Sequence, residues 1–472
     1  MAVETSAVVP VKVRRPAAES SLWNLLPFII FVLVCAFLPR FTSETGLMLL
    51  IYIGISALLA IGLNLLMGYA GQISLGHAAF FGIGAYTSAI LTVRPISSEV
   101  IPGFSAGVGI IAGVAALMSI ARVTGGRLAL GAVALVLLGW VAALSRSHFV
   151  ATLLIYGVGM ALFGIAMRIK WWRAGAAGII CALSAAVCDR FLLGVLSKGG
   201  ASPWTAMLVG IIFTSLIAYL IGGQVLRLKG HYLAMATLGF GVIVEIIFRQ
   251  WTAVTGGSSD GIFGIPSIAW LDGSPGFVRN IFALLAGGQV DLQKQYYYLV
   301  WGFVFIALVL AVNIVRSRVG RAFRAVHSSE VAAESLGVDT QRYKIQVFVL
   351  SAAMASVAGS LHAHNAGVGY VNPGDFGFAV SVQLLVMVVV GGMASVWGAL
   401  FGASVIQLLK NWMLNLDKAD VSIMGLTLKG LDPIVFGAVL IMVMVMLPQG
   451  FVRGITDMAA AAWRTARRGR AK

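Results

Sequence analysis

Long apolar runs recur along nearly the whole chain, and each is about as long as a helix that crosses a membrane. A hydrocarbon core of about 30 Å needs about 20 helical residues at about 1.5 Å per residue. The runs are continuous rather than alternating, which argues against strands of a membrane barrel. The pattern predicts an all-α fold, a polytopic transmembrane helical bundle. The predicted spans are 22–38, 47–67, 75–93, 104–121, 127–144, 148–166, 176–196, 204–222, 231–249, 297–315, 345–363, 378–396, 398–415 and 434–448.

Composition and charge agree with this pattern. The chain is 60% hydrophobic and 11% charged, whereas soluble domains are about 25% charged. If the spans alternate from an inside N-terminus, most of the 33 Lys and Arg residues fall on the inner side, as in cytoplasmic loops. The net charge of +16 therefore requires no nucleic acid. Both termini are predicted to be cytoplasmic. Cys35, Cys181 and Cys188 lie in apolar runs, without disulfide or metal-ligand spacing.

One short stretch interrupts the apolar pattern with glycine and polar residues. The sequence GYAGQISLGHAAFFGIGAY covers residues 68–86. Glycine permits a helix break or a close helix contact, and broken backbone inside a membrane must line a cavity or be buried by protein. The alternative is a tight cytoplasmic turn capped by Ser74. The predicted break or packing glycines are Gly68, Gly71 and Gly76, and the polar residues that could line a cavity are Asn64, Gln72, Ser74 and His77.

A second segment, SSEVAAESLGVD (328–339), falls on the predicted inner side. Ser329 can cap a helix start, Glu330 suits the positive first turn, and Gly337 suits the helix end. A helix of about two turns is marginal alone in water. We therefore expect a docking partner for it, and the alternative is an ordinary solvated loop helix.

Several long motifs resemble the LivM-type permease subunits of ATP-binding-cassette importers of branched-chain amino acids, and the resemblance they mark extends over roughly three quarters of the chain. They are LNLLMGYAGQISLGHAAFFGIGAYTSAIL (63–91), LRLKGHYLAMATLGFGVIVEIIFR (226–249), VTGGSSDGIFGIP (254–266), SRVGRAFRAVHSSEVAAESLGVDTQRYKIQVFVLSAAMASVAGSLHA (317–363) and VNPGDFGFAVSVQLLVMVVVGGMASVWGALFGA (371–403).

The resemblance implies a transport subunit that performs no covalent chemistry and binds no cofactor itself. Its partners would be a second homologous permease, two ATP-binding subunits that use the ATP, and a periplasmic solute-binding protein, in the bacterial inner membrane. The sequence contains no G-x-x-x-x-G-K-[ST] phosphate loop, which places any ATP site on another chain. The inner segment resembles the E-A-A-x-x-x-G coupling loop, with one extra residue, at Glu330, Ala332, Ala333 and Gly337.

The chain departs from the family pattern between its third span and the next family-like span. About four extra spans occur there, beside ten that follow the family. The last extra span holds Asp189 and Arg190, which could pair or mark where the helix leaves the membrane. The predicted organisation is a tail at 1–21, first helices at 22–93, an insert at 94–203, a main region at 204–449 with the coupling loop 316–344, and a basic tail at 450–472.

The substrate path is predicted to have modest polar groups between apolar walls. Besides the polar residues of the glycine-rich stretch, the candidates are Thr237 and Glu245. Glu245 lies near the outer end of its span, where the alternative is simple pairing with Arg249 one turn later. The outer loop 255–266 could meet the solute-binding protein, or it could be structural only.

Three other functions remain open from sequence. Permeases for urea or short amides look alike, so the substrate class is not separated. An ion-coupled secondary transporter would be expected to place paired carboxylates deep in its spans, and only Glu245 and Asp189 come near that pattern. A membrane enzyme would need a cluster of catalytic side chains, which the sequence does not suggest.

Overall fold

The structure, a computed structural model, describes residues 21–93, 109–110, 112–118, 130–138, 149–167, 170–196, 200–257, 261–271, 275–418, 422–423, 426–427, 437–438 and 441. Its principal helices are α1 Ser21–Phe37, α2 Glu44–Asn64, α3 His77–Val93, α4 Phe149–Ala166, α5 Trp171–Leu196, α6 Pro203–Val225, α7 His231–Gln250, α8 Gly276–Ala286, α9 Leu292–Arg316, α10 Arg318–Ser328, α11 Glu330–Ser335, α12 Thr340–Ala363, α13 Phe378–Gly391 and α14 Val396–Lys418.

Short elements complete the described fold. They are 3₁₀ turns at Leu38–Arg40 and Pro373–Phe376, a π-helical turn at Leu65–Tyr69, a helical turn at Thr252–Thr255, and strands β1 Ile262–Phe263, β2 Tyr370–Val371, β3 Ser422–Ile423 and β4 Leu426–Thr427. β1 pairs antiparallel with β2, and β3 pairs antiparallel with β4. The structure is helical almost throughout its described part, as the sequence predicts.

The core of the bundle forms around α2, which is apolar on all sides and buried from Ile53 to its end. A helix that is hydrophobic all round belongs inside a bundle rather than on its surface. α2 packs against α9, α12, α13 and α14, while α12 also packs against α3 and α6. Five helical segments of the described chain are long and apolar enough to cross a membrane, namely Glu44–Tyr69, Pro203–Val225, His231–Gln250, Leu292–Arg316 and Thr340–Ala363.

Two groups of contacts between loops lie at opposite ends of the bundle. At one end, Lys229 in the α6–α7 connection pairs with Glu330 of α11 at 3.7 Å. At the other end, β1 joins β2, and the Pro266 carbonyl oxygen lies 2.6 Å from His364 Nδ1. The beginning of α12 therefore lies near the first end and its last turn near the second. We call these the coupling end and the opposite end.

Some element boundaries differ from the sequence prediction. The predicted span 378–396 stops as a helix at Gly391, and the chain turns before α14 begins at Val396. In that turn Gly392 has φ +102° and Ala394 has φ +60°, which a continuous helix cannot contain. The helix Gly276–Ala286 was not among the predicted elements. The predicted span 434–448 lies outside the described residues, apart from positions 437–438 and 441.

The described helices of the insert have a small core of their own. It contains Ala116, Leu117, Leu135, Tyr156, Met160, Ala177, Cys181 and Ala182. The ends of the insert meet, because the Ala201 amide donates to the Leu91 carbonyl at 2.8 Å. The insert therefore leaves and rejoins the bundle at one place. The side chains of Cys188, Asp189 and Arg190 lie outside the described part of the chain.

Candidate functional site

The first break in the glycine-rich stretch is a joint between two distant parts of the chain. Asn64, 1% exposed, donates from Nδ2 to the Ser395 carbonyl at 2.7 Å and accepts from the Ala394 amide at 3.0 Å. Gly68 lies against the same turn, and a Cβ there would overlap Asn64 Oδ1 and the Ala394 amide nitrogen. Asn64 thus provides hydrogen-bond partners for the backbone of the turn between α13 and α14. The sequence did not predict this role for any residue.

The extended residues after Tyr69 lie in tight contact with other elements. Gly71 has φ +69°, and a Cβ there would lie 2.5 Å from His327 Nδ1 of α10. A Cβ at Gly76 would overlap the carbonyl oxygen of Thr237 in α7. These glycines therefore permit both a positive φ and close backbone approach, as predicted from their residue type. Later in the stretch, Gly82 packs against Phe248 and Phe376, and Gly84 packs against Ser356.

The beginning of α3 is held by side chains from two other helices. The Leu75 amide donates to Thr237 Oγ1 at 3.1 Å, and the Ala78 amide donates to Ser381 Oγ at 3.2 Å. The bond to Ala78 satisfies an amide that a helix start leaves open, and the bond to Leu75 holds the segment just before the helix. Ser74, the residue considered as a cap, does not provide these bonds. Sequence analysis missed Ser381, whose only signal was a polar residue inside an apolar run.

The predicted polar lining is almost fully buried. Gln72 is 6% exposed, Ser74 1%, His77 1% and Thr237 2%. His77 Nε2 lies 3.2 Å from the Ser351 hydroxyl, midway along α12, and Gln72 Nε2 donates to the Ala70 carbonyl at 3.2 Å. Within the described residues, Ser74 Oγ and His77 Nδ1 have no hydrogen-bond partner. The Tyr86 hydroxyl at the end of the stretch is likewise buried without a hydrogen-bond partner among the described residues, so the stretch is an interior segment with three unsatisfied polar atoms.

Glu245 lies apart from these buried residues, near the opposite end. Arg249 donates to Glu245 Oε1 from Nη2 at 2.8 Å and from Nε at 3.1 Å. Glu245 Oε2 also accepts from the Phe378 amide at 3.3 Å, at the first residue of α13. The carboxylate therefore pairs with Arg249, as the simpler prediction held, and it also satisfies the start of a second helix.

A shallow cleft lies beside that carboxylate. It is bounded by α3, α7 and the start of α13, and it is too narrow to hold a water molecule. Its lining is mainly apolar and consists of Leu75, Ala79, Leu238, Gly241, Val242, Phe376, Gly377, Phe378 and Ser381. The cleft therefore brings together the glycine-rich stretch and the Glu245 region, although Glu245 is far from that stretch in sequence.

The segment 328–339 forms the predicted helix at the coupling end. α11 begins after Ser329, whose hydroxyl accepts from the Ala332 amide at 3.3 Å, and Gly337 has φ +80° just beyond its end. Glu330 Oε1 lies 2.5 Å from Lys344 Nζ of α12. Lys344 is 4% exposed, so this ion pair fixes the start of α11 to a membrane-spanning helix.

The two alanines of the coupling motif face different surroundings. Ala332 is exposed, whereas Ala333 is 2% exposed and packs inside the protein. Val331 and Leu336 are large apolar side chains, 71% and 82% exposed, on the same short helix and its first following residue. Glu330 and Ala333 thus anchor α11, while Val331, Ala332 and Leu336 form an exposed surface.

No group of three or more His, Cys, Asp or Glu side chains in the described part of the chain is arranged to hold a metal ion. The arrangement consists of buried hydrogen bonds, close glycine contacts and one rim ion pair. Such features can hold the helices in a fixed arrangement.

Comparison with known proteins gives consistent results. The family model for the branched-chain amino acid transport system permease component matches residues 46–152 and 149–446. The chain is 31% identical over 265 residues to the high-affinity branched-chain amino acid transport permease LivM of Escherichia coli K12, covering 54% of this chain and 58% of LivM. It is 27% identical over 286 residues to LivH of Salmonella typhimurium LT2, covering 58% of this chain and 83% of LivH.

A more distant relative is the autoinducer 2 import permease LsrC of Salmonella paratyphi B. It is 27% identical over 218 residues, covering 45% of this chain and 56% of LsrC. The matches thus span little more than half the length of the LivM relatives. No solved structure matches the chain.

Proposed function

The chain belongs to the family of branched-chain amino acid transport system permease components, and from that premise we propose that it is the permease subunit of an ATP-driven importer. Its substrates would be branched-chain or related amino acids, and its site of action the bacterial inner membrane. The names of the LivM and LivH relatives support the substrate class. The LsrC relative is an autoinducer 2 import permease, so permeases of similar sequence also carry other solutes.

The observation that carries the proposal is the exposed surface of α11. Val331, Ala332 and Leu336 present apolar area outside the apolar spans, on a helix too short to be stable alone. Exposed apolar patches of this kind mark sites of protein–protein contact. We propose that an ATP-binding subunit covers this surface, because the Glu330–Lys344 pair can pass its movement directly to α12.

The remaining partners follow from the same proposal. A second homologous permease, two ATP-binding subunits and a periplasmic solute-binding protein would complete the transporter. ATP would bind to the partner subunits only. The coupling end would then be cytoplasmic, and the opposite end, with β1 and β2, would meet the solute-binding protein.

Uptake in cells tests the proposal. Labelled leucine and labelled urea are given to a strain that lacks this gene and to the same strain carrying it on a plasmid. We expect leucine uptake to fall and to return with the gene. If only urea uptake responds, the substrate assignment is wrong while the architecture stands.

A further inference from the structure

The two long helices of the insert present large aliphatic side chains to their surroundings. These side chains are between 39% and 67% exposed and recur at helical spacing, so each set forms one stripe along its helix. The stripes consist of Val158, Leu162 and Ile165 on α4 and of Ile179, Leu183 and Val187 on α5. The outward surface of this helix pair is therefore apolar.

The surface between α4 and α5 is built from smaller residues. A Cβ at Gly178 of α5 would overlap the Tyr156 carbonyl oxygen of α4, and Gly175 lies against Ala161. Ala177 is fully buried. Contacts between helices inside a membrane favour small residues, because these let the backbones approach closely. The large aliphatic side chains of the outward stripes lack that feature, and lipid acyl chains are the partner that they fit.

The junction between α4 and α5 lies toward the coupling end. Ala201, which follows α5, donates to the Leu91 carbonyl in α3, and Ser88 on the same helix is hydrogen-bonded to His364 at the opposite end. The end of α5 is therefore close to the opposite end. Because α5 has 26 residues, it extends about 39 Å at about 1.5 Å per residue. Its first residues, next to α4, thus lie across the membrane from its last ones.

The junction carries basic and aromatic side chains. Lys170 and Trp172 are exposed, and the guanidinium carbon of Arg173 lies 5.1 Å from the centre of the Trp172 ring. Among the residues that the structure describes, neither Lys170 nor Arg173 forms an ion pair with a carboxylate. Trp is enriched where a protein crosses from lipid to water, and the guanidinium of Arg matches the geometry of a phosphate group. Such a junction suits the headgroup of a phospholipid.

The charge balance of the insert points to an anionic ligand. From Arg94 to Lys198 the sequence contains nine Lys and Arg residues and two acidic residues, Glu99 and Asp189. Five of the basic residues and neither acidic one lie in or directly beside the two loops that the predicted spans place on the inner side. Anionic lipids attract basic segments of this kind next to a membrane.

We propose that the α4–α5 junction binds the headgroup of an anionic phospholipid in the leaflet at the coupling end. Lys170 and Arg173 contact its phosphate, and its acyl chains lie along the outward stripes of α4 and α5. The insert is then a lipid-facing layer of the permease with a headgroup site at its edge. This assignment goes beyond the proposed function and holds whichever solute the permease carries.

Photolabelling of the full chain in nanodiscs tests the site. The probe is phosphatidylglycerol with a diazirine in one acyl chain, at a low fraction in phosphatidylcholine, and the control probe is phosphatidylcholine with the same diazirine. We expect phosphatidylglycerol to label peptides that contain Leu162, Ile165 or Ile179 more strongly than the control probe does. Unlabelled phosphatidylglycerol should compete, whereas inorganic phosphate should not.

Substitution of the basic residues gives the matched comparison. One basic residue near an anionic lipid surface strengthens binding about fivefold, so Lys170→Gln with Arg173→Gln should weaken phosphatidylglycerol labelling about 25-fold. Lys170→Arg with Arg173→Lys keeps both charges and should retain most of the labelling. Arg227→Gln with Lys229→Gln removes two exposed cations at the same end but outside the insert, and it should change little. Size-exclusion chromatography checks that each variant is folded.

Four results would overturn the assignment. Equal labelling of α4 and α5 by the two probes would show that this surface contacts lipid without preference for a headgroup. No label on either helix would show that protein covers the surface. Competition by inorganic phosphate would indicate an anion site that does not require lipid. A loss in the control variant as large as that in Lys170→Gln with Arg173→Gln would assign the preference to general charge at this end.

Discussion

At the scale of single residues, glycine decides how closely the helices approach. Gly76 lies against the backbone of Thr237 in α7, whereas a Cβ added at Gly239, which is also in α7, would meet no atom within 4 Å. We expect Gly76→Ala to destabilise the protein, because overpacking of a tight contact costs about 1–3 kcal/mol. Gly239→Ala should be neutral or slightly stabilising, since alanine favours a helix. Thermal unfolding in detergent measures both, and equal melting temperatures would contradict the packing.

Asn64 is a second residue whose role depends on distant contacts. Asn64→Ala leaves the Ala394 amide and the Ser395 carbonyl without their partner. An unsatisfied buried polar group costs about 1–3 kcal/mol, so the melting temperature should fall. Ser404→Ala, which removes a bond within α14 only, is a milder control. If Asn64→Ala is no less stable than that control, the joint between α2 and the α13–α14 turn is unimportant.

Sequence could identify these residue types but not their partners. The glycines of the stretch 68–86 indicated a break or a close contact, and the structure contains both. Asn64 was predicted to line a path because it is polar and lies beside the glycine-rich break, and its partners, more than 300 positions away, could not be seen from sequence. Ser351 and Ser381 could not be identified as partners for the same reason. Polar residues inside apolar spans are therefore visible from sequence, and whether they are paired is not.

At the scale of elements, α11 separates anchoring residues from exposed ones. Leu336→Asp changes a side chain that is 82% exposed, so the protein should fold normally while ATP-driven uptake is lost. Ala333 is only 2% exposed, so Ala333→Asp would bury a carboxylate and should lower the amount of folded protein. Measured uptake and detergent-extracted protein distinguish the two. Normal uptake in Leu336→Asp would remove the basis for a docking surface on α11.

The Glu330–Lys344 pair makes a further prediction for the same element. Glu330→Gln leaves the nearly buried Lys344 without its carboxylate, so uptake should fall several-fold. The double variant Glu330→Gln, Lys344→Gln removes the unpaired charge and should keep more uptake than the single variant. Lys229→Gln alters only a longer, exposed contact and should have little effect. A double variant no better than Glu330→Gln would show that an unpaired Lys344 charge is not the cause of the loss.

Element boundaries were predictable where local signals were strong. Ser329 and Gly337 mark α11 in the sequence, and the structure uses both. The end of α13 at Gly391 was missed because the apolar pattern continues through the following turn. Ala394 adopts a positive φ in that turn. Alanine rarely takes this conformation, so the sequence does not predict it.

At the scale of the whole molecule, we expect the predicted insert to be separable from the bundle, because its two ends lie close together. Gly200 packs against the Thr92 carbonyl, and Ala201 is hydrogen-bonded to Leu91. Replacement of residues 94–199 by a short Gly-Ser linker should therefore leave a folded protein that still transports leucine. Size-exclusion chromatography and uptake check this. An aggregated variant would show that the bundle depends on the insert, for example through the contact of Met118 with Gly223.

The overall architecture was the most predictable level, because apolar length and continuity alone indicate membrane helices. The relation between the cleft and Glu245 was not predictable, since it depends on how α3, α7 and α13 pack. Local sequence propensity predicts each helix separately. A site formed by three helices can be predicted only when their arrangement in space is known.

The most direct test of the account is leucine uptake into proteoliposomes that contain the complete transporter and the solute-binding protein. The account predicts accumulation that requires ATP, is unaffected by dissipating ion gradients, and is lost in Leu336→Asp. Uptake that follows an ion gradient without ATP would contradict it and would indicate a secondary transporter instead.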